Sequence, residues 1–179
     1  MIIRICQLQK IYYYPRVIEK LRDTLNLISK KSGKIGSFLI LLLIILVSIS
    51  VILRYVFSIG FIWLQDLYIW IHAIFILLGL AYTLNADEHV RIDLLYRSFK
   101  EKVKKKINFI GILLFGLPVS FILIFKGFDY FYRSFLLNES SKESGGLPFI
   151  FILKFFIFLM GVLLFFELSR QILNFLRKK

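Results

Sequence analysis

Hydrophobic and polar positions form long alternating blocks along this chain. Four apolar runs, each of 19 or 20 residues, stand between polar segments: Ile35–Leu53, Leu67–Ala86, Ile107–Phe125 and Leu147–Phe166. About 20 residues of helix, at ~1.5 Å each, cross a hydrocarbon core of ~30 Å. Because backbone polar groups in lipid have to be satisfied within the segment, all four runs are predicted to be helices. The pattern predicts an all-α membrane protein with four transmembrane helices, spanning about 35–54, 66–86, 107–126 and 147–167.

The segment before the first run has a different pattern. Apolar residues recur at helical spacing between charged ones, at Val17, Ile18, Leu21, Leu25 and Ile28. This pattern predicts an amphipathic helix that lies in the membrane interface, with its basic side towards anionic phospholipid head groups and its end at Gly33. The first apolar run begins too late, and is too long, for a cleaved secretory signal. We therefore predict a basic N-terminal segment over 1–34 and a four-helix transmembrane domain over 35–179.

The lysines and arginines are distributed unevenly between the two sides. The segments 1–34, 87–106 and 167–179 hold 19 of them, whereas the two opposite loops hold 4. Since basic residues accumulate in cytoplasmic loops, both termini and the middle loop are predicted to be cytoplasmic.

Composition agrees with a membrane protein and narrows the function classes. Hydrophobic residues make up 59% of the chain, against roughly 45–50% in soluble domains. The net charge of +13 could suggest nucleic acid, but the basic residues lie in clusters between apolar runs, where they face the membrane surface, so no nucleic-acid partner is expected. A single cysteine, Cys6, allows no intramolecular disulfide and no multi-cysteine metal site.

Four ionisable residues lie at or within the predicted membrane boundaries: Arg54, Asp66, His72 and Lys154. Charges at membrane depth are costly unless they reach water or pair. We therefore expect Arg54 and Lys154 to reach the outer interface or to pair with Asp66 or Glu139. For His72 we expect a neutral imidazole bonded to a neighbouring helix. A proton relay would need carboxylates across the membrane, and no Asp or Glu lies in the middle of any run, so this chain alone is not expected to pump protons.

A polar cluster, Asp87 to Asp93, follows the second run. Its single histidine among carboxylates does not supply the converging ligands of a catalytic zinc site, and His72 and His89 are ~25 Å apart along a helix, too far to share a haem iron. No nucleophile elbow or glycine-rich phosphate loop occurs in the chain. We expect no enzyme activity and no cofactor. Instead, His89, Arg91 and Asp93 are predicted to fix an amphipathic turn at the interface and its contacts with a partner.

Two further sets of residues are predicted from local composition. Small residues in the spans are candidates for close helix approach, namely Gly79, Ala81, Gly111 and Gly116. The loop before the last run, "NESSKESGG", is rich enough in serine and glycine to be mobile, and its charges could dock a soluble partner.

Dispersed motifs resemble the DctQ-like family, the small membrane subunits of tripartite ATP-independent periplasmic (TRAP) transporters. "RYVF" from Arg54 is followed by Trp63 and Asp66, and "LNADEHVRIDLL" contains the polar positions His89, Arg91 and Asp93. "ESSKESGGLP" contributes Glu139, Ser141, Gly146, Leu147 and Pro148, and Lys154 lies in the last run. Asp66 stands where the family more usually has glutamate, and the basic lead is longer than in many members.

The resemblance implies a four-helix subunit of the bacterial inner membrane that works with two other proteins. A periplasmic solute-binding protein captures the solute, usually an organic acid, and a large membrane subunit carries the solute and sodium sites of the symport. The small subunit packs on the large one as a scaffold and contributes to docking of the binding protein, with Glu139 and Lys142 predicted to border the docking footprint. Two alternatives stay open at this point: an accessory or assembly subunit of another membrane complex, and a small self-assembling exporter.

Overall fold

The computed structural model describes residues 2–86 and 99–177, and every regular element within them is helical. The helices are α1 (Ile2–Tyr55), α2 (Ile62–Ala86), α3 (Glu101–Gly111), α4 (Leu117–Leu136) and α5 (Phe151–Arg177). Four stretches are long and apolar enough to cross a membrane: Asp23–Tyr55, Ile62–Ala86, Lys102–Leu136 and Phe151–Phe175. The prediction of an all-α, four-span membrane protein is confirmed. His89, Arg91 and Asp93 lie outside the described residues.

Helix α1 is continuous through the position where the sequence predicts an end. Gly33 is buried within it, and a Cβ atom at this position would overlap the ring of Tyr82 on α2. The prediction that Gly33 ends a helix is therefore wrong: the glycine allows α1 to approach α2 closely. Leu25 and Ser29 are also buried, so this part of α1 packs on the bundle. The interfacial position of the segment before it stays a prediction.

Helices α4 and α5 approach each other through small residues. Ser120, Gly127 and Ser134 recur every seven residues along the buried side of α4. A Cβ atom on Gly127 would lie 3.1 Å from the Phe158 Cα atom, and one on Gly161 would lie 3.0 Å from the Ile124 backbone nitrogen. Backbone neighbours at such distances cannot move aside cheaply, so these two glycines set the separation of the helices.

The glycines that the sequence predicts for this role behave differently. A Cβ atom on Gly79 or Gly111 would meet nothing within 4 Å, so that prediction is wrong for both residues within the chain. A Cβ atom on Gly116 would lie 3.0 Å from Leu168 Cδ1, and Ala81 is 1% exposed. These two residues are packed as predicted.

One turn of π-helix, Ile112–Gly116, joins α3 to α4 without a break. The backbone N–H of Leu117 donates to the carbonyl of Ile112, five residues earlier. Pro118 follows immediately, and a proline has no N–H for an ordinary helical bond and crowds the carbonyl four residues before it. The wider turn accommodates that proline, and the α3–α4 rod becomes one continuous span.

The bundle has a small core and an apolar exterior. Leu78, Ala81 and Leu163 form the buried cluster between α1, α2 and α5. Large apolar side chains such as Phe38, Phe115 and Phe125 are at least 66% exposed. A surface of this kind is suited to lipid or to another membrane subunit, because a bilayer does not penalise exposed apolar groups.

Candidate functional site

Lys154 lies one turn into α5 and is 7% exposed. Its ammonium group forms a salt bridge with the carboxylate of Glu139 and lies 4.0 Å from the ring centroid of Tyr130. The hydroxyl of Ser134 donates to the same carboxylate at 2.7 Å. We call these four residues the Lys154 cluster. Lys154 thus pairs with one of the two acids named from the sequence, and the pair ties the loop after α4 to α5.

The hydrogen bonds in this cluster favour the ionised form of Glu139. Lys154 and Ser134 both donate to the carboxylate and hold the pKa of Glu139 below its ordinary value of 4.5, although burial acts in the opposite direction. Its side chain is 37% exposed, so water reaches the pair. The cluster is an internal salt bridge with one open side.

Asp66 fixes the other half of the same loop. One carboxylate oxygen, Oδ2, accepts a hydrogen bond from the backbone N–H of Leu147 at 3.0 Å. A Cβ atom on Gly146 would overlap that oxygen and the side chain of Ser141, so only glycine fits beside the carboxylate. The "GLP" stretch therefore meets the acid of α2 in space.

Backbone hydrogen bonds close the loop onto itself. The N–H of Ser141 donates to the carbonyl of Leu147 at 3.0 Å, and the N–H of Ile150 donates to the carbonyl of Glu139 at 2.9 Å. The serine- and glycine-rich composition predicts a mobile loop, whereas the structure gives it three separate anchors, at Lys154, at Asp66 and within its own backbone.

The remaining predicted residues on this side lie at the surface. Trp63, Lys142 and Pro148 are exposed, and the Trp63 ring packs 6.0 Å from that of Phe61. Arg54 is exposed at the end of α1 and borders a cavity of about 90 Å³. Within residues 2–86 and 99–177 no ion pair involves Arg54, so of the two predicted outcomes it shows exposure and not pairing.

A second polar cluster, at the opposite end of α5, was missed from the sequence. Glu167 is completely buried and lies 13 residues after Lys154, which is about 20 Å along a helix. Its carboxylate accepts five hydrogen bonds from four side chains, those of Ser29, Asn85, Arg170 and Gln171. We call these five residues the Glu167 cluster.

Three helices meet at the Glu167 cluster. Ser29 comes from α1, Asn85 from the end of α2, and the rest from α5. Arg170 donates from both Nε and Nη2, at 2.9 and 2.6 Å, to the two oxygens of Glu167, a bidentate geometry that is strong and directional. The Gln171 amide also donates to the carbonyl of Leu84 at 3.2 Å. The buried charge is satisfied on every side, so the cluster locks α1, α2 and α5 together.

The sequence held a weak signal for this cluster. "ELSRQ" places Arg170 and Gln171 three and four residues after Glu167, on one side of a helix. Because Glu167 directly follows an apolar run, it resembles an ordinary boundary residue.

His72 lies ten residues into α2 with its side chain exposed. The predicted hydrogen bond to a neighbouring helix is not found among the residues that the structure describes. Those same residues contain no group of three His, Cys, Asp or Glu side chains that could hold a metal ion.

Comparison with known proteins gives one finding. A model of the protein family described as "Tripartite ATP-independent periplasmic transporters, DctQ component" matches residues 43–178. Neither a curated protein nor a solved structure gives a match.

Proposed function

This chain belongs to the DctQ family of tripartite ATP-independent periplasmic transporters, and from that premise we propose that it serves as the scaffold of its transporter and helps to dock the solute-binding protein. It is the small permease subunit, a multi-pass protein of the bacterial inner membrane. Family membership favours this function over an accessory subunit of an unrelated complex and over a self-assembling exporter.

The observation that carries the scaffold proposal is the use of the buried charges. Lys154 binds Glu139, and Glu167 binds four side chains of its own chain. A site that binds and releases solute needs polar groups that are not already committed to the fold. Because both clusters hold helices and loop in place, we assign the solute and sodium sites to the large membrane subunit.

The exposed imidazole of His72 supports a partner within the membrane. His72 lies six residues, or about 9 Å of helix, past Asp66, where the span is predicted to begin, and this depth is within a ~30 Å hydrocarbon core. A polar side chain facing lipid at that depth is unfavourable. We propose that the large subunit covers this face of α2, where Gly79, two turns further on, leaves open space for a close neighbour.

The loop between α4 and α5 supports a docking role for the binding protein. Its anchors are internal, so it presents a defined surface, and Lys142 and Glu143 are its exposed charges. The sequence predicts that Glu139 and Lys142 both border the docking footprint. Because the carboxylate of Glu139 is engaged by Lys154, we propose that Lys142 is the charge that contacts the binding protein.

The family supports a proposal for the energy source and the solute class. Concentrative uptake that does not use ATP needs another energy source such as an ion gradient, and we propose sodium symport of an organic acid. These features belong to the assembled transporter, in which this chain positions the other two proteins.

The experiment compares charge reversal at two exposed lysines near opposite ends of the helix bundle. The complex is isolated gently from its own membranes, reconstituted, and its uptake measured against the concentration of binding protein. Lys142→Glu should raise the concentration that gives half-maximal uptake by about 3- to 30-fold, since a rim charge acts mainly on association, with the maximal rate unchanged. Lys31→Glu, an equal change at an exposed position near the other end, should have no effect.

The outcomes separate the parts of the proposal. If no large membrane subunit accompanies the chain, the scaffold role is wrong. If the complex assembles and transports but Lys142→Glu behaves like Lys31→Glu, the docking role of this loop is wrong and the scaffold role stands.

A further inference from the structure

A groove of about 640 Å³ lies between α3 and α5, at the end of the bundle near Glu167. Its volume is within the ~300–1,000 Å³ typical of small-molecule sites. The lining residues are Lys102, Lys105, Lys106, Asn108, Phe109, Ile112, Gln171, Asn174 and Phe175. The described lining thus combines three cations, three amides and three apolar side chains, and it contains no carboxylate.

The two walls of the groove follow helical spacing. Lys102, Lys105, Lys106 and Phe109 recur on one side of α3, and Gln171, Asn174 and Phe175 recur on one side of α5. The rings of Phe109 and Phe175 stack with centroids 4.4 Å apart. This aromatic pair holds the helices together and fixes the level at which the groove changes from basic to apolar.

The polarity of the α3 wall is graded along the helix, from the lysines to Phe109 and Ile112, whereas the α5 wall keeps the amide of Gln171 on the span side of Phe175. The groove lies at the ends of the candidate spans Lys102–Leu136 and Phe151–Phe175, which is the depth of lipid head groups. Lys102 precedes Phe109 by seven residues, or about 10 Å of helix, on the aqueous side, and Ile112 lies one turn deeper into the span. If a phosphate group bound at the lysines, the acyl chain attached to it could therefore contact Phe109 and Ile112, which lie deeper in the membrane.

We propose that this groove binds an anionic phospholipid. The lysines would hold the phosphate, the amides of Asn108 and Asn174 would face the glycerol region, and Phe109 with Ile112 would contact the start of an acyl chain. Three lysines without a neighbouring acid in the lining repel one another, and an anion relieves that repulsion. The graded α3 wall favours a lipid over a free phosphate ion, which would use the basic part alone. Basic pockets of this kind between membrane helices commonly hold anionic head groups.

The test measures lipid binding to the full chain in neutral detergent by native mass spectrometry, with phosphatidylglycerol as the probe and phosphatidylcholine as the neutral comparison. The variant Lys102→Gln/Lys105→Gln/Lys106→Gln should bind phosphatidylglycerol at least about tenfold more weakly. The matched control, Lys30→Gln/Lys31→Gln/Lys34→Gln, removes three exposed charges from α1 and should stay within about twofold of the unmodified chain.

A second variant tests the groove without changing charge. Asn174→Trp fills the space between the walls and should weaken phosphatidylglycerol binding several-fold. If the triple variant fails to fold, this variant alone tests whether the groove binds the lipid. If both triple variants lost phosphatidylglycerol binding equally, the binding would reflect general attraction to a basic surface, and the proposal would be overturned. Equal binding of phosphatidylcholine, or complete displacement by inorganic phosphate, would overturn it as well.

Discussion

Two glutamates at opposite ends of the bundle accept hydrogen bonds from a cation and a serine, but with different surroundings. Glu167 is fully buried and receives bonds from three helices, whereas the side chain of Glu139 is 37% exposed and, among the described residues, bonds to Ser134 of α4 and Lys154 of α5. Water can replace a lost partner at Glu139 and cannot do so at Glu167. The same ion-pair chemistry therefore gives a buried cluster that fixes three helices at one end, and a solvent-accessible pair at the end proposed to dock the binding protein.

Removing the sealed carboxylate should have the largest effect. Glu167→Ala leaves the guanidinium of Arg170, 15% exposed, and the hydroxyl of Ser29 without their acceptor. It also removes one of the two acceptors of the Asn85 and Gln171 amides, which keep Asn26 and Leu84. Breaking a buried ion pair costs about 3–5 kcal/mol. We expect a pronounced fall in the thermal unfolding midpoint of the full chain in detergent, while Glu143→Ala, at an exposed loop position, should leave it unchanged. Equal midpoints for the two variants would show that the cluster does not lock the helices.

Breaking the open pair should have a smaller effect. Lys154→Met keeps the length of the side chain and removes its charge, which leaves Glu139 to be solvated from its exposed side. We expect the unfolding midpoint to fall by less than half of the change caused by Glu167→Ala. Lys142→Met, in the same region but without an ion pair among the described residues, is the control. A loss as large as that of Glu167→Ala would remove the distinction between the two ends.

The pH dependence of Glu139 should give the smallest effect and the most specific one. Because its folded pKa lies below the ordinary value of 4.5, the ionised carboxylate contributes stability above pH ~4.5, and this contribution is lost as pH falls through the lowered pKa. The midpoint of the unmodified chain should therefore exceed that of Glu139→Gln at neutral pH and converge with it in acid. Glu143→Gln should show no such convergence. A constant difference between the Glu139 curves at all pH values would contradict the assignment.

The two ends also differ in how far the sequence predicts them. Lys154 is a lone cation in an apolar run, and the adjacent boundary offers few acids, so its pairing with Glu139 follows from the cost of a buried charge. Glu167 gives no such warning, because its partners Ser29 and Asn85 are 138 and 82 residues away. No local pattern connects them, and only the packing of three helices brings them together.

The sequence predicts that helices approach each other at small residues, but it does not predict at which residues they do so. The four spans follow from length and hydropathy, but both sides of a membrane helix can be apolar, so periodicity does not identify the side that faces a neighbour. Gly79 and Gly127 therefore look alike in the sequence. One has open space beside it and the other meets the backbone of α5. Gly33 was misjudged for the related reason that a glycine at a helix end and one at a helix crossing have the same local composition.

The π-turn at Ile112–Gly116 sets how far α3 is rotated about the helix axis relative to α4. An α-helix advances roughly 100° per residue, and a single wide turn inserts about one residue into that progression. The π-turn therefore changes the angle around the helix axis between the lysine side of α3 and the serine and glycine side of α4. Shortening the turn by one residue would rotate the lysines by about a quarter of a revolution relative to α4, so the length of this turn, and not only its residues, determines which direction the basic wall faces.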